Sequence, residues 1–235
     1  QSGDFYRGLS AALSRLLMSP NFIFRIEKTE PDPNNPDVHR LDSYSLASRL
    51  SFLLWDAPPD EKLLDAASQG ALQDESSLRE EIDRMISSPK FKNGVRAFFS
   101  DMFGYEQFEV LAKEQAIFPL YSSQLAKDAK EQALKTIEYL LVDGKGDYRD
   151  LFTTKTILVN RNLSALYEVA APEDAVTGWA PYRFENYDER AGLLTLAAFL
   201  MLDVTHEGRT SPTIRGQAVR ELYLCQKVPP PPPAV

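Results

Sequence analysis

Residues 206–233 read HEGRTSPTIRGQAVRELYLCQKVPPPPP, and this stretch contains the clearest local structural signals of the chain. Ser211 and Pro212 predict a helix start, because serine caps helix N-termini and proline at the first helical position lacks only an N–H that would be unbonded anyway. Apolar residues then recur at helical spacing as far as about Cys225, which is predicted to be a small buried residue on that apolar face. The five prolines at 229–233 cannot continue a helix and favour an extended polyproline II rod.

A cluster of cationic and hydroxyl side chains surrounds this helix start. Its members are His206, Arg209, Thr210, Ser211 and Arg215. Free N–H groups, the positive end of the helix dipole and an arginine would converge there, which is how anion sites are built. We therefore predict an anion-binding or partner-binding site in this cluster. The alternative is that Arg209 pairs with a carboxylate of its own chain, Asp203 or Glu207.

The composition bounds the class of protein. A chain of 235 residues with 43% hydrophobic residues can bury a sizeable core. The net charge of −8 argues against general nucleic-acid binding, which requires a basic face. One cysteine excludes a c-type haem motif, and two histidines, far apart in sequence, give no histidine-rich metal signature. We therefore expect no metal and no cofactor in this chain. The longest apolar run, 192–202, is too short to span a bilayer.

Helical periodicity dominates the remaining sequence. The longest helix is predicted over 122–142, where Leu125, Ala129 and Ala133 keep the helical period. The β-branched run 153–159 is the best strand candidate.

Local signals also mark loops and helix starts. The proline- and asparagine-rich segment 30–37 is predicted to be a loop, and 171–187 is predicted to be irregular. Helix caps are predicted at Asp42 or Ser43, at Asp60, at Asn160 and at Asp188, the last of these before an apolar helix that ends at about Leu202. The sequence thus predicts an all-α fold, a multi-helix orthogonal bundle of about eight or nine helices. Irregular loops and a C-terminal polyproline segment complete it.

Two further features of the chain bear on its organisation. The helical spacing of apolar residues is lost near 105–120. This loss indicates that a helical domain at 1–204 is divided there into subdomains. Residues 205–235 are predicted to begin the following domain, with a capped helix and the proline run. The sequence lacks a nucleophile elbow, a glycine-rich phosphate loop, His-Glu-x-x-His and Cys-x-x-Cys, so no motif assigns a reaction.

Five segments together resemble one known family. They are LLMSPNFIFRIE (16–27), RLDSYSLASRLSFLLWDAPPDEKLLDAASQGAL (40–72), LFTTKTILVNRNLSALY (151–167), RAGLLTLAAFLML (190–202) and the stretch at 206–233. They are similar to large exported proteins of planctomycetes, myxobacteria and other Gram-negative bacteria, in which consecutive domains of unknown function stand beside a c-type cytochrome domain. The resemblance implies a periplasmic or extracellular location. It also implies that haem c lies in a neighbouring domain or partner chain.

Three functions follow as competing hypotheses. The first is a structural or interaction domain that positions neighbouring redox domains or partner chains, including a c-type cytochrome. The second is an enzyme domain for an extracellular substrate, with its site near His206 and Arg209. The third is a haem-contacting subunit in which Arg209 or Arg215 meets a propionate of another chain. Because the chain stops inside the proline-rich junction, we expect it to be a fragment or one processed chain of a larger assembly.

The proline run generates a prediction about assembly. Five polyproline II residues span about 15 Å and lose little entropy on docking, so we expect the run to act as an ordered spacer. Replacing 229–233 by Gly-Ser residues in the intact protein should lower its thermal stability and weaken its association with the downstream part. If neither quantity changes, the run is only a linker.

Overall fold

The computed structural model describes residues 4–202 and 210–229. The α-helices of these residues are α1 (Phe5–Leu17), α2 (Pro20–Ile23), α3 (Ser43–Trp55), α4 (Glu61–Ser68), α5 (Glu75–Ile86), α6 (Phe91–Met102), α7 (Ser123–Ile137), α8 (Arg161–Leu166), α9 (Ala197–Met201) and α10 (Pro212–Ala218). The strands are β1 (Thr29–Asp32), β2 (Asn35–Leu41), β3 (Thr156–Val159) and β4 (Ala180–Arg183). π-Helical turns extend α7 and α10.

The prediction of an all-α fold is wrong. The described residues contain two antiparallel two-stranded sheets, β1–β2 and β3–β4, besides the helices. Helix is nevertheless the dominant regular structure, and the ten α-helices found in this part of the chain roughly fit the eight or nine predicted. The predicted long helix at 122–142 corresponds to α7 and its π-helical extension.

The first sheet forms where the sequence predicted only a loop. Asn34 donates its backbone N–H to the Asp32 side chain at 2.7 Å, which closes the turn between β1 and β2. Arg40 and Glu30 face each other across the ribbon and form an ion pair at 2.8 Å. Prolines are tolerated at the edges of a sheet, and both strands of a two-stranded ribbon are edges. The prolines of 30–37 therefore do not prevent the hairpin.

The second sheet pairs a predicted strand with one that the sequence did not reveal. β3 falls within the predicted strand 153–159, whereas β4 lies in the segment 171–187 that lacked any period. Pro181 pairs with Leu158 in this ladder, and a proline within a run is a signal against a strand. Pairing with β3, a contact distant in sequence, overrides that local signal.

Residues 188–202 do not form the single apolar helix that their composition predicts. A 3-10 turn covers Leu193–Thr195, and α9 begins only at Ala197. Gly192 interrupts the run with a backbone φ of +64°, and its N–H donates to the Thr154 carbonyl at 2.8 Å. Cys225, expected on a buried apolar face, is exposed, because the π-helical extension of α10 ends before it.

Several predicted helix caps are confirmed. Asp42, Asp60 and Asn160 each accept the backbone N–H three residues further on, at 2.7 to 3.0 Å. Ser211 likewise accepts the N–H of Ile214 at 3.3 Å and caps α10. Of the predicted polyproline run, Pro229 is described and residues 230–233 lie outside the described part.

The chain divides into two compact units, 1–94 and 95–235. The core of the N-terminal unit consists of Ala47, Trp55, Leu63, Ala67, Leu72 and Met85. Within it, the Trp55 indole N–H donates to the Met85 carbonyl at 2.9 Å. The C-terminal unit has a larger core built around α7, with β3, α8 and α9 against it. The expected domains 1–204 and 205–235, and the division near 105–120, stay predictions.

Alanine substitutions at Gly192 and Gly70 test how closely the backbone of residue 192 approaches that of Phe152. A Cβ on Gly192 would lie 2.3 Å from the carbonyl carbon and oxygen of Phe152, whereas a Cβ on Gly70 would meet nothing within 4 Å. Both glycines have positive φ, so each alanine costs about 1–2 kcal/mol in backbone conformation. Gly192→Ala should lose about 1–3 kcal/mol more through overpacking. Urea unfolding measures both variants, and equal losses would contradict the close approach.

Candidate anion-binding pocket

The C-terminal unit contains a cavity of about 430 Å³, which we call the cationic pocket. Apolar and aromatic side chains form most of its wall. The lining residues are Lys113, Ile117, Phe118, Pro119, Leu120, Tyr121, Leu125, Leu166, Tyr167, Arg190, Ala197, Leu200, Met201, Thr210 and Arg215. Such a wall removes the apolar body of a ligand from water, and the few polar groups fix its orientation.

Three cationic side chains reach this cavity from segments distant in sequence. They are Lys113, Arg190 and Arg215, and none of the described lining residues is an aspartate or a glutamate. Charges in an apolar wall interact more strongly than charges in water, because the effective dielectric constant is lower. The pocket therefore combines apolar walls with an electrostatic preference for an anion.

Lys113 is the most buried of the three cations, with 9% of its surface exposed. Its Nζ lies 5.2 Å from the centroid of the Phe118 ring, which favours the charged ammonium by a cation–π contact. Burial, followed by the positive charge of Arg215, lowers the pKa of Lys113 below its ordinary value. The segment 111–121 that carries both residues is closed by a hydrogen bond from the Tyr121 hydroxyl to the Leu111 carbonyl.

Arg190 is positioned by its backbone and by an aromatic ring. Its N–H donates to the Asp188 side chain at 2.8 Å, and its carbonyl accepts the Lys155 ammonium at 2.9 Å. Its guanidinium carbon lies 5.0 Å from the centroid of the Tyr167 ring. These contacts hold a half-buried guanidinium at the pocket wall.

Tyr167 is a structural wall residue whose hydroxyl is fully engaged. It donates to the Gln132 amide oxygen at 2.7 Å and accepts the Ala197 N–H at 2.8 Å. Burial raises the pKa of Tyr167 to about 12, so the phenol stays neutral at ordinary pH. Because Ala197 is the first residue of α9, this hydroxyl also attaches the start of α9 to the pocket wall.

Two buried polar side chains of α7 form hydrogen bonds to the backbone of β3. Gln132 donates its amide to the Leu158 carbonyl at 2.9 Å, and Thr136 accepts the Leu158 N–H at 3.0 Å. Both side chains are fully buried. These side chains are hydrogen-bond partners for the backbone groups of Leu158 on the edge of β3 that does not pair with β4. Without them, those backbone groups would be buried without a partner.

The predicted site residues meet this pocket in part. Thr210 and Arg215 line it, and the Ser211 hydroxyl caps α10 instead. His206 and Arg209 lie outside the described residues, so the predicted anion site as a whole stays a prediction.

Two lining cations were missed from the sequence. Lys113 lies in the stretch 105–120, which has no period and no motif, so no local signal marked it. Arg190 follows Asp188, which the sequence predicts to be a helix cap, so its local signal is that of a helix start.

No group of three or more histidine, cysteine, aspartate or glutamate side chains in 4–202 and 210–229 has an arrangement suited to a metal ion. Within the same residues, no helix combines the length and the apolar character that a bilayer crossing requires.

Comparison with known proteins assigns the chain to a family of proteins of unknown function. The family described as Protein of unknown function (DUF1592), short name PSD4, matches residues 41–169, more than half of the chain, and the chain belongs to it. A second family, Protein of unknown function (DUF1588), short name PSCyt3, matches residues 190–235. The chain thus contains two consecutive domains of unknown function. No curated protein and no solved structure matches it.

The two family segments meet at the cationic pocket. Lys113, Phe118 and Tyr167 come from the DUF1592 segment, whereas Arg190 and Arg215 come from the DUF1588 segment. The pocket is therefore formed by both segments together and by neither alone.

The engagement of the Tyr167 hydroxyl yields a stability prediction. Tyr167→Phe leaves the Gln132 amide oxygen and the Ala197 N–H without this partner, which should cost about 2–4 kcal/mol in the free energy of unfolding. Tyr187→Phe is the matched control, because Tyr187 is 88% exposed, and it should change stability by less than about 0.5 kcal/mol. Equal effects in denaturant titrations would contradict the proposed role of the hydroxyl.

Proposed function

We propose that this chain is a binding domain that holds a small organic anion in the cationic pocket. One observation supports this above all: three cationic side chains from three separate segments converge on one apolar cavity. A bound anion would stabilise these partly desolvated cations, because opposite charges attract each other more strongly at a low-dielectric wall than in water.

The volume and the wall chemistry narrow the ligand class. Small-molecule pockets typically measure about 300–1,000 Å³, and a cavity of about 430 Å³ falls in the lower half of that range. The apolar wall suits an aromatic or branched aliphatic body. The cations suit a carboxylate or a similar head group, and arginine in particular binds carboxylates through two parallel hydrogen bonds.

The contribution of both family segments links ligand binding to domain organisation. A ligand that contacts Lys113 and Arg215 at once would stabilise the packing of the two segments by mass action. This supports our expectation of a structural or interaction domain that positions neighbouring domains. The short names PSD4 and PSCyt3 support a cytochrome-associated origin, and we propose an exported, cytochrome-linked protein on that basis.

A haem contact is the second candidate function. A haem propionate is a carboxylate on an apolar body, and Arg215 lines the pocket as this hypothesis requires. Binding would then be non-covalent and through an edge of the macrocycle. The enzyme hypothesis was tied to His206 and Arg209, which lie outside the described residues, and it stays a prediction.

A calorimetric experiment tests the binding proposal with 4-methylbenzoate as the probe. Arg215→Gln and Arg190→Gln should each weaken binding by about tenfold to a hundredfold, because a hydrogen bond to a charged group contributes about 1.5–3 kcal/mol. Arg161→Gln is the control, since Arg161 is exposed on α8 and does not line the pocket.

Two ligand controls accompany these variants. Inorganic phosphate tests the head group alone, and 4-methylbenzyl alcohol tests the apolar body alone. The proposal fails if the neutral alcohol binds as tightly as the carboxylate, or if the pocket variants bind like the control variant.

A further inference from the structure

We propose that Lys113 forms a reversible imine with carbonyl compounds that enter the cationic pocket. The ligand class would then be small organic anions that also bear an aldehyde or a ketone. The inference rests on the proposed function, since the pocket must first bind the anion. It adds covalent chemistry by a named side chain.

The placement of the amine is the first support. Lys113 is 9% exposed and lines the cavity together with Phe118, and its Nζ lies 5.2 Å from the centroid of that ring. Lysines that form imines present their nitrogen at the wall of a pocket in which the amine is partly desolvated. Exposed lysines such as Lys127 on α7 lack both conditions.

The electrostatic surroundings are the second support. A lysine amine is activated when it is desolvated in an apolar pocket or placed beside another cation, since both increase the neutral, nucleophilic fraction. Lys113 meets both conditions, because it is buried and Arg215 lines the same cavity. Burial and the Arg215 charge lower its pKa accordingly.

The two arginines of the pocket are placed to bind the anionic head group while the amine reacts. Arg190 and Arg215 are available to hold the anionic head group within the same cavity as the amine. Confinement of a carbonyl group beside a nucleophile raises their effective concentration and favours condensation. An anionic carbonyl compound therefore matches this wall better than a neutral one.

The step balances without an oxidant or reductant. The lone pair of the neutral Lys113 nitrogen attacks the carbonyl carbon, and the C–O π electrons move to oxygen. A proton passes from nitrogen to that oxygen, and a second proton from the solvent allows the oxygen to leave as water. The nitrogen lone pair then forms the C=N bond, and loss of the remaining N–H proton to solvent gives the neutral imine. One water is released, and hydrolysis reverses the step.

Reductive trapping tests the inference with 4-formylbenzoate and sodium cyanoborohydride on the full chain. Peptide mass spectrometry gives the labelled fraction of each lysine. Confinement of the bound carbonyl group beside the amine raises their effective concentration, so Lys113 should label about tenfold or more above Lys127. An excess of 4-methylbenzoate, which has no carbonyl group to trap, should suppress labelling at Lys113 and leave Lys127 unchanged.

Two variants separate the amine from the pocket. Lys113→Arg keeps the charge but cannot form the trapped product, so the selective label should disappear and no other lysine should gain it. Lys127→Arg should leave labelling at Lys113 unchanged. A thermal melt of each variant checks that the fold is retained, and Lys113→Met replaces Lys113→Arg if the larger guanidinium does not fit.

The outcomes distinguish this inference from the proposed function. Selective labelling of Lys113 that 4-methylbenzoate suppresses supports both. Binding of 4-methylbenzoate without preferential labelling of Lys113 overturns the imine and leaves the anion pocket intact. If 4-methylbenzoate does not bind and labelling follows surface exposure alone, both proposals fail.

Discussion

The C-terminal unit depends on a chain of buried hydrogen bonds from α7. Gln132 and Thr136 satisfy the carbonyl and the N–H of Leu158, and Gln132 also accepts the Tyr167 hydroxyl, which in turn accepts the Ala197 N–H. Because a two-stranded sheet has two unpaired edges, β3 can be buried against α7 only if side chains replace the missing strand. The same bonds place α9 and the Tyr167 ring at the pocket wall. One network of hydrogen bonds thus both stabilises the fold and positions the pocket wall.

Two aromatic rings hold cationic side chains at the wall of the cationic pocket. Tyr167, at the end of α8, provides the aromatic face on which the Arg190 guanidinium rests. Phe118 provides the corresponding face for the Lys113 ammonium. Cation–π contacts of this kind offset part of the desolvation of each charge. The charge of Arg215 also opposes that of Lys113, and a bound anion would offset this repulsion. The occupied pocket is therefore expected to be more stable than the empty one.

The N-terminal unit also contains an arginine that lies beside an aromatic ring. Arg84 binds Asp60, the cap of α4, at 2.9 Å, and its guanidinium carbon lies 5.4 Å from the Trp55 ring. Although burial alone would raise the pKa of Asp60, hydrogen bonds from Arg84 and the Leu63 N–H hold it below its ordinary value. Here an arginine stabilises a helix start and an aromatic core residue together, and its carboxylate partner is present within the unit.

The sequence by itself determined several helix starts, the longest helix and the family. Caps such as Asp42 and Asn160 and the apolar period of α7 predicted helices that the structure contains, because these signals act within one or two turns. Tertiary structure decided the rest. β4 exists only through pairing with β3, and Gln132 is a polar residue in the core only because Leu158 and Tyr167 need partners. The pocket cations come from segments without a shared motif, and only the packing of α7, α8 and α9 brings such distant residues to one wall.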